Sequence, residues 1–389
     1  MEVLLNNLER IDSGRRSLFR RLFDIDWILF FSVLFISLSG LITMSSFTGE
    51  EHYFSRQIVW LCVSIGIFFL ISFVDFRFLK KTGVVISIYG FAFVLLVALF
   101  ILGHVSKGAQ SWFSVGGVSF QPADLVKLSI IILLAKYFSK RHIEIANIRH
   151  IFVSGFYVFI AFLLVLFQPD FGSALIIFLI WFGMILLSGI SKRHLLAVFL
   201  IGLMAFGVMW GYVLKDYQKK RVINFIHPLS DIRGAGYNAY QAMVAVGSGE
   251  VTGKGVGYGT QSRLKFLPEY QTDFIFAAYA EEWGFYGVML LFILFGVMLW
   301  RIIRNAYYGS SNFEILFGCG LAIMFASHFL VNVGMIIGLM PVTGIPFPFM
   351  SYGGTNLLIC FVGLGILMGM RRYRRAAHKD MMKNEFFGI

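Results

Sequence analysis

The sequence predicts an all-α protein that crosses a membrane many times. Of its 389 residues, 58% are hydrophobic and 14% are charged, and the mean hydropathy is +0.78. A soluble domain carries about twice this charged share. The apolar runs are continuous and about 20 residues long, which suits helices through the hydrocarbon layer, whereas barrel strands alternate apolar and polar residues. This composition excludes a disordered chain, a coiled coil and a disulfide-rich secreted scaffold.

Ten apolar runs predict ten membrane-spanning helices. They cover residues 27–45, 58–74, 83–102, 123–138, 151–167, 172–190, 195–214, 274–302, 313–338 and 357–370. A helix satisfies its own backbone hydrogen bonds, as lipid requires. The eighth run is longer than a span needs, so we expect its first part to have a role besides contact with lipid.

The distribution of Lys and Arg predicts the orientation of these helices. One set of loops and both chain ends carry 21 of these residues, whereas the short loops of the other side carry two, Arg56 and Lys107. We therefore expect a cytoplasmic arm at residues 1–25 and a cytoplasmic tail at residues 371–389. The net charge of +12 is then a signal of topology. Because the basic residues are scattered over loops, no nucleic-acid partner is expected.

A long outer loop, residues 215–272, lies between the seventh and eighth predicted helices. It carries eight basic residues, among them Lys219, Lys220 and Arg221. Loops of this length escape the charge rule, so these residues form either a solvated surface or a site for an anionic ligand. No repeat or soluble domain stands out, and we treat residues 1–389 as one domain.

Other unusual residues also fall on the outer side, and the inner loops are expected to be plain. All seven prolines lie in outer segments, and Pro122 suits the first turn of the fourth helix after Gln121. Asp124 and Lys127 are three residues apart there, so they can pair, either within a functional site or as an ion pair that joins helices. Asp170 either caps the sixth helix or serves the same site.

The strongest chemical pattern stands at the start of the eighth helix. Pro268 predicts a helix start, which places Glu269 and Asp273 four residues apart on one face. Two carboxylates this close suit a general base and a partner that tunes it, and the alternative is a helix cap or a surface pair. Glu281 and Glu282 follow within the apolar run, and they are expected to face a cavity or a partner because contact with lipid is costly.

Two glycine-rich outer segments complete the pattern. Glycines from Gly247 to Gly259 would let the backbone approach a ligand, although their spacing matches neither a Walker loop nor a dinucleotide-binding turn. The uncharged last outer loop, residues 341–356, ends in Gly-Gly-Thr-Asn. This end either offers backbone N–H groups to an anion or forms a tightly packed re-entrant turn. The histidines show no zinc-like spacing.

These motifs, taken in order, resemble the SEDS family (shape, elongation, division and sporulation), the group of RodA, FtsW and SpoVE. The resemblance covers nearly the whole chain and is carried by residues 121–127, 168–170, 253–262, 267–276, 281–284 and 332–354. The chain is most similar to RodA at residues 259–264 and in its short cytoplasmic arms. It departs from the family at Asp124, where Glu is usual, at Gln271, where His is frequent, and at Glu250, where Gly is usual.

The resemblance implies an inverting peptidoglycan glycosyltransferase of the bacterial cytoplasmic membrane, which polymerises lipid II during cell elongation. It implies Asp273 as the catalytic carboxylate and a class B penicillin-binding protein and other elongation-complex membrane proteins as partners. No cofactor is implied with certainty, and Lys127 and Arg221, or a divalent cation, would neutralise the leaving pyrophosphate. A lipid II flippase and a non-catalytic scaffold for a cell-wall synthase are the alternatives.

The site residues divide into two groups under this hypothesis. Besides Asp273, the residues expected to contact substrate are Glu269, Lys127, Asp124, Gln121, Arg221, Ser262, Ser351, Gly353 and Gly354. Those expected to support the site are Asp170, Glu281, Glu282, Pro268, Pro341 and Pro346. All of them lie on the predicted outer side, where the head group of lipid II would be exposed.

Overall fold

The computed structural model describes residues 25–47, 51–106, 109–115, 118–140, 148–189, 191–213, 216–226 and 236–387. The predicted arm, residues 1–25, therefore lies almost wholly outside the described residues. The helices are α1 (Trp27–Ser45), α2 (Glu51–Ser72), α3 (Thr82–Leu102), α4 (Pro122–Ser139), α5 (Ile148–Phe167), α6 (Phe171–Leu187), α7 (Lys192–Val208), α8 (Asp216–Ile226), α9 (Tyr237–Ser248), α10 (Thr260–Arg263), α11 (Ile275–Tyr307), α12 (Asn312–Ile336) and α13 (Gly354–Phe387).

A small sheet corrects the all-α prediction. Strands β1 (His104–Ser106), β2 (Ala109–Val115) and β3 (Val118–Phe120) form an antiparallel sheet in the order β1-β2-β3, between α3 and α4. In the sequence, Gly116 and Gly117 separate β2 from β3, and a Gly-Gly pair between short runs of β-formers is a hairpin signal. The prediction missed it because it followed hydropathy alone.

Within the described part of the chain, seven helices are long and apolar enough to cross a membrane, namely α1, α2, α3, α5, α11, α12 and α13. α6 and α7 are apolar but shorter. α4 has 18 residues and carries Asp124, Lys127 and Lys136. The protein is therefore a multi-pass helical membrane protein.

Most predicted helix boundaries agree with the structure to within a few residues, with two clear exceptions. α2 begins at Glu51 rather than at residue 58, because its first turns carry polar residues such as His52 and Arg56 that hydropathy excludes from a span. α13 continues to Phe387, so most of the predicted tail is helical. α7 ends at Val208 and is followed by a π-helical turn, Met209–Val213.

α11 is interrupted at Gly284, which has φ 61° and ψ −164°. Residues 275–282 are all buried, whereas buried and exposed residues alternate after Gly284. The part from residue 285 to residue 307 is about 34 Å long, enough to cross the hydrocarbon layer by itself. The first part of this run is therefore buried within the protein, and the additional role expected for it stays a prediction.

The predicted inner ends of α1, α11 and α13 meet at a buried acid, Asp26. Asp26 accepts from Arg301 Nη2 at 2.6 Å and from Asn305 Nδ2 at 2.8 Å, and it lies 3.0 Å from Arg371 Nη1. Burial raises the pKa of Asp26, but the hydrogen bonds from Arg301, Asn305 and the Leu29 N–H and the charge of Arg371 outweigh this effect and lower it overall. The cluster therefore stabilises the fold at neutral pH and loses that contribution as the pH falls through the lowered pKa.

We expect the Asp26→Asn variant to be less stable by about 3 kcal/mol, since it leaves two nearly buried cations without their counter-charge. Thermal unfolding in detergent measures the loss. The matched control is Asp75→Asn, because Asp75 pairs with Arg77, whose side chain is 72% exposed, and such a pair contributes about 0–1 kcal/mol. Equal losses for the two variants would contradict the role given to Asp26.

Candidate active site

Asp273 lies on a turn that precedes α11. Residues 268–274 form consecutive turns, and Glu269 has φ 52°. The carbonyl group of Glu269 accepts the N–H groups of Thr272 at 3.1 Å and Phe274 at 3.2 Å, which closes the turn. The prediction that Pro268 begins a helix is therefore wrong, and Glu269 and Asp273 do not share a helix face.

Asn332 on α12 holds the backbone at Asp273. Its Nδ2 donates to the carbonyl group of Asp273 at 2.8 Å and to that of Ile345 at 2.6 Å. Asn332 is completely buried, so one amide group joins the Asp273 turn to the last outer loop. Asn332 begins the segment 332–354 that carries the resemblance but was not among the predicted site residues, although a lone amide within an apolar run is itself a functional signal.

The last outer loop holds the two preceding residues of the turn. Ser351 Oγ donates to the carbonyl group of Thr272 at 2.6 Å, and the Tyr352 N–H donates to that of Gln271 at 2.9 Å. Ser351 also accepts the Phe347 N–H at 2.8 Å, which shapes the loop itself. Together with the contact from Asn332, hydrogen bonds thus fix three successive carbonyl groups, those of residues 271–273.

The same loop passes beside the carboxylate of Asp273. Asp273 is half-buried, and a Cβ atom at Gly344 would lie 3.3 Å from its Oδ2. Arg221 on α8 is exposed, and its Nη1 donates to the carbonyl group of Val342 at 3.4 Å. The structure therefore brings Asp273, Arg221 and the proline-bearing segment of residues 341–347 to one region.

Glu269 keeps an unfavourable backbone conformation beside Asp273. A left-handed φ costs a residue with a Cβ atom about 1–2 kcal/mol. The Glu269 Oε2 accepts the Thr272 hydroxyl at 3.1 Å. Residues in such conformations cluster at functional sites, which supports a role for this carboxylate.

We expect Glu269→Gly to keep or raise the melting temperature, since glycine adopts a positive φ without strain. The same variant is expected to lower the activity proposed below by roughly 10–100-fold, because the turn loses a group that positions it. Glu269→Gln, which keeps the strain and an acceptor for Thr272, is the matched control. A stabilised variant with wild-type turnover would show that the carboxylate is dispensable.

Asp124 and Lys127 form the predicted pair. Lys127 Nζ lies 2.9 Å from Asp124 Oδ1, and each residue is 3% exposed. Asn356 on α13 donates to the same oxygen at 3.3 Å. With His328 on α12, these residues line a cavity that has room for about one water molecule. The ion pair thus lies within α4, where the ammonium group of Lys127 faces Asp124 inside the bundle, and the contact from Asn356 joins α4 to α13.

Asp170 is the N-cap of α6. Its Oδ1 accepts the Ser173 N–H at 2.9 Å, and its Oδ2 accepts Gln121 Nε2 at 2.8 Å. Of the two interpretations of Asp170, the cap is therefore the observed one. Through Gln121, the cap also links the starts of α4 and α6.

Gly353 and Gly354 take part in close packing before α13. The Gly353 N–H donates to Gln57 Oε1 at 3.3 Å, and Gln57 Nε2 donates to the carbonyl group of Ser351 at 3.1 Å. A Cβ atom at Gly354 would lie 2.1 Å from the Trp60 ring. The arrangement matches a tightly packed turn, and the Gly353 N–H is already engaged by a side chain.

The glycines of the first glycine-rich segment approach a helix backbone. The N–H groups of Lys254 and Gly255 donate to the carbonyl groups of Glu281 and Glu282, both at 3.0 Å. A Cβ atom at Gly253 would lie 2.2 Å from the Glu282 carbonyl oxygen. The close approach that glycine permits is thus to α11, where the break at Gly284 leaves these carbonyl groups available.

Glu281 and Glu282 face the protein, as expected from the cost of contact with lipid. Glu281 is 0% exposed and pairs with Lys254 at 2.7 Å, and Glu282 accepts from Ser46 Oγ and from the Gly257 N–H. Ser262 is also buried. Among the residues that the structure describes, no cluster of three or more His, Cys, Asp or Glu side chains could hold a metal ion.

The fold and the site together define a class, a multi-pass helical membrane protein with a carboxylate-bearing turn held by polar contacts at one end of its bundle. Comparison with known sequences identifies the family. The family described as cell cycle protein, FtsW/RodA/SpoVE, matches residues 18–376. The chain belongs to this family, which confirms the resemblance found in the sequence.

Individual relatives agree with this assignment. The peptidoglycan glycosyltransferase MrdB of Escherichia coli K12 is 36% identical over 295 residues, which cover 76% of this chain and 79% of that protein. The crystal structure of RodA from Thermus thermophilus is 30% identical, with a TM-score of 0.67 over 89% of this chain and 96% of that one. A chain from a study of a peptidoglycan synthase complex that coordinates polymerisation and crosslinking is 31% identical, with a TM-score of 0.77 over 90% and 98%.

Proposed function

We propose that this protein is a peptidoglycan glycosyltransferase that polymerises lipid II on the outer face of the bacterial cytoplasmic membrane during cell elongation. The named activity of the Escherichia coli relative supports the reaction class. The observation that carries the proposal is the Asp273 turn, in which a half-buried carboxylate stands on a backbone fixed at three successive carbonyl groups. A base held in this way suits a proton transfer of fixed geometry.

Asp273 is the proposed general base. It takes the proton of a sugar 4-hydroxyl group while the hydroxyl oxygen bonds to the anomeric carbon of a second unit and the bond to lipid pyrophosphate breaks. A single displacement inverts the anomeric carbon and needs only one such carboxylate. Arg221 is exposed beside the last outer loop, so it is better placed than the buried Lys127 to meet the leaving pyrophosphate. A divalent cation would serve the same purpose.

The proposed topology has ten spans, formed by the seven long apolar helices and by α4, α6 and α7. Both termini are then cytoplasmic, and residues 215–272 form an outer loop. The contacts of Asp26 join ends that the Lys and Arg count assigns to the inside, and those of Ser351 join ends assigned to the outside. α4 and α6 are largely buried, and a short or charged helix can cross when it is packed inside a bundle. α7 is apolar and exposed, and with the π-helical turn Met209–Val213 it is long enough to span.

The proposed partner is a class B penicillin-binding protein, supported by the likeness to a chain from a peptidoglycan synthase complex. Incubation of the purified protein and this partner with fluorescent lipid II tests the activity, with the partner alone as the control. Glycan strands that need this protein support the enzyme. Movement of lipid II across the vesicle membrane without strand formation would favour a flippase. The absence of both strand formation and lipid II movement would favour a scaffold.

A further inference from the structure

The carboxylate of Glu281 accepts several hydrogen bonds from the loop that precedes the Asp273 turn. Its Oε1 accepts Lys254 Nζ at 2.7 Å, the Thr260 N–H at 2.8 Å and the Thr260 hydroxyl at 3.0 Å. The Gln261 N–H reaches Oε1 at 3.2 Å and Oε2 at 3.1 Å. Ser248 Oγ adds a longer contact at 3.4 Å. One completely buried carboxylate thus organises residues 254–261.

A further hydrogen bond connects this carboxylate to the Asp273 turn. The carbonyl group of Gln261 accepts the N–H of Leu267 at 3.1 Å, and Leu267 is completely buried. Leu267 leads directly into the turn, and the turn leads directly into α11, which carries Glu281. The hydrogen bonds between the Gln261 N–H and the Glu281 carboxylate therefore close the segment from Gln261 to Glu281 into a loop, and Asp273 lies within this segment.

Lys254 supplies the positive charge that this buried carboxylate requires. Its side chain is 29% exposed, and its Nζ also donates to the Thr260 hydroxyl at 2.9 Å. Removal of one member of such a pair leaves an uncompensated buried charge, which is far more harmful than removal of both. The loop and the carboxylate therefore depend on each other.

We propose that Glu281 and Lys254 are positioning residues that hold the Asp273 turn in its working geometry. This role rests on the proposed function, and both residues act through the loop and the turn. A misplacement of about 1 Å can lower a rate about 100-fold, so an effect on turnover is expected without direct contact with substrate.

The test compares Lys254→Met with the double variant Lys254→Met/Glu281→Gln in the polymerisation assay, per folded molecule. We expect the single variant to lose about 100-fold in kcat, with little change in the KM for lipid II. The double variant is expected to recover to within about tenfold of the wild type, because the neutral amide still accepts the Thr260 and Gln261 N–H groups and no charge is left unpaired. Glu250→Gln, at an exposed residue of the same loop, is the control for the amide substitution.

Hydrogen exchange of the backbone amides at residues 260–267 gives a readout that is independent of catalysis. Exchange is expected to be faster in Lys254→Met and close to wild type in the double variant. The proposal is overturned if the double variant is no more active and no better protected than Lys254→Met, or if Lys254→Met keeps wild-type turnover. If the wild type makes no strands while exchange follows the expected pattern, the proposed function fails and the structural link between the pair and the loop stands.

Discussion

Asp273→Asn is expected to lower the rate of lipid II polymerisation by about 100-fold or more. A general base contributes about 10²–10⁴-fold to a reaction of this kind, and an amide cannot take the proton. The substitution preserves the size of the side chain and leaves the fixing contacts intact, since Asn332, Ser351 and Tyr352 bind the backbone of the turn. The fold and the binding of the partner should therefore be unchanged.

The measurement is strand formation from purified lipid II with the cognate partner, alongside thermal unfolding and co-purification of the partner. Asp75→Asn is the matched control, because it makes the same substitution near the predicted inner ends of the helices and should leave turnover unchanged. Strand formation by Asp273→Asn within a few-fold of the wild type would exclude Asp273 as the base. Glu269 and Asp124 would then be the next carboxylates to test.

Local rules predicted the parts of the site that depend on residues close in the chain. The spacing of Asp124 and Lys127 predicted their ion pair, since residues three apart meet on a helix. A carboxylate directly before a helix made the cap by Asp170 one of its two interpretations, and the cap is observed. The helices were predictable for the same reason, because lipid leaves an apolar run of about 20 residues no other way to satisfy its backbone.

The contacts between distant segments were not predictable in this way. Pro268 by itself favours a helix start, but the contacts from Asn332, Ser351 and Tyr352 hold residues 271–273 in a turn. The convergence of Arg301 and Arg371 on Asp26 likewise depends on how three helix ends pack. A sequence reveals such residues only as isolated polar groups in apolar runs, without their partners.

The second large effect is expected at the break in α11. Gly284 has φ 61° and ψ −164°, a conformation that glycine alone adopts readily. A Cβ atom there would lie 2.2 Å from the Gly253 nitrogen and 2.7 Å from the Thr252 carbonyl carbon, and these are backbone atoms that cannot rotate away. Gly284→Ala should therefore separate the outer loop from α11 and lower the stability by about 3 kcal/mol or more.

Gly296→Ala is the matched control for this prediction. Gly296 lies on the same helix, and a Cβ atom there would meet nothing within 4 Å. Alanine at that position should be neutral or stabilising by about 0.5–1 kcal/mol, since it favours the helix. Thermal unfolding and hydrogen exchange at residues 249–257 measure both variants. If Gly284→Ala unfolded at the wild-type temperature with unchanged exchange in this segment, the contact between the glycine-rich segment and α11 would not be a determinant of the fold. A loss of stability and of exchange protection confined to Gly284→Ala would instead show that the break in the helix holds this segment in place. The surroundings of Glu281 and the start of the Asp273 turn depend on that segment.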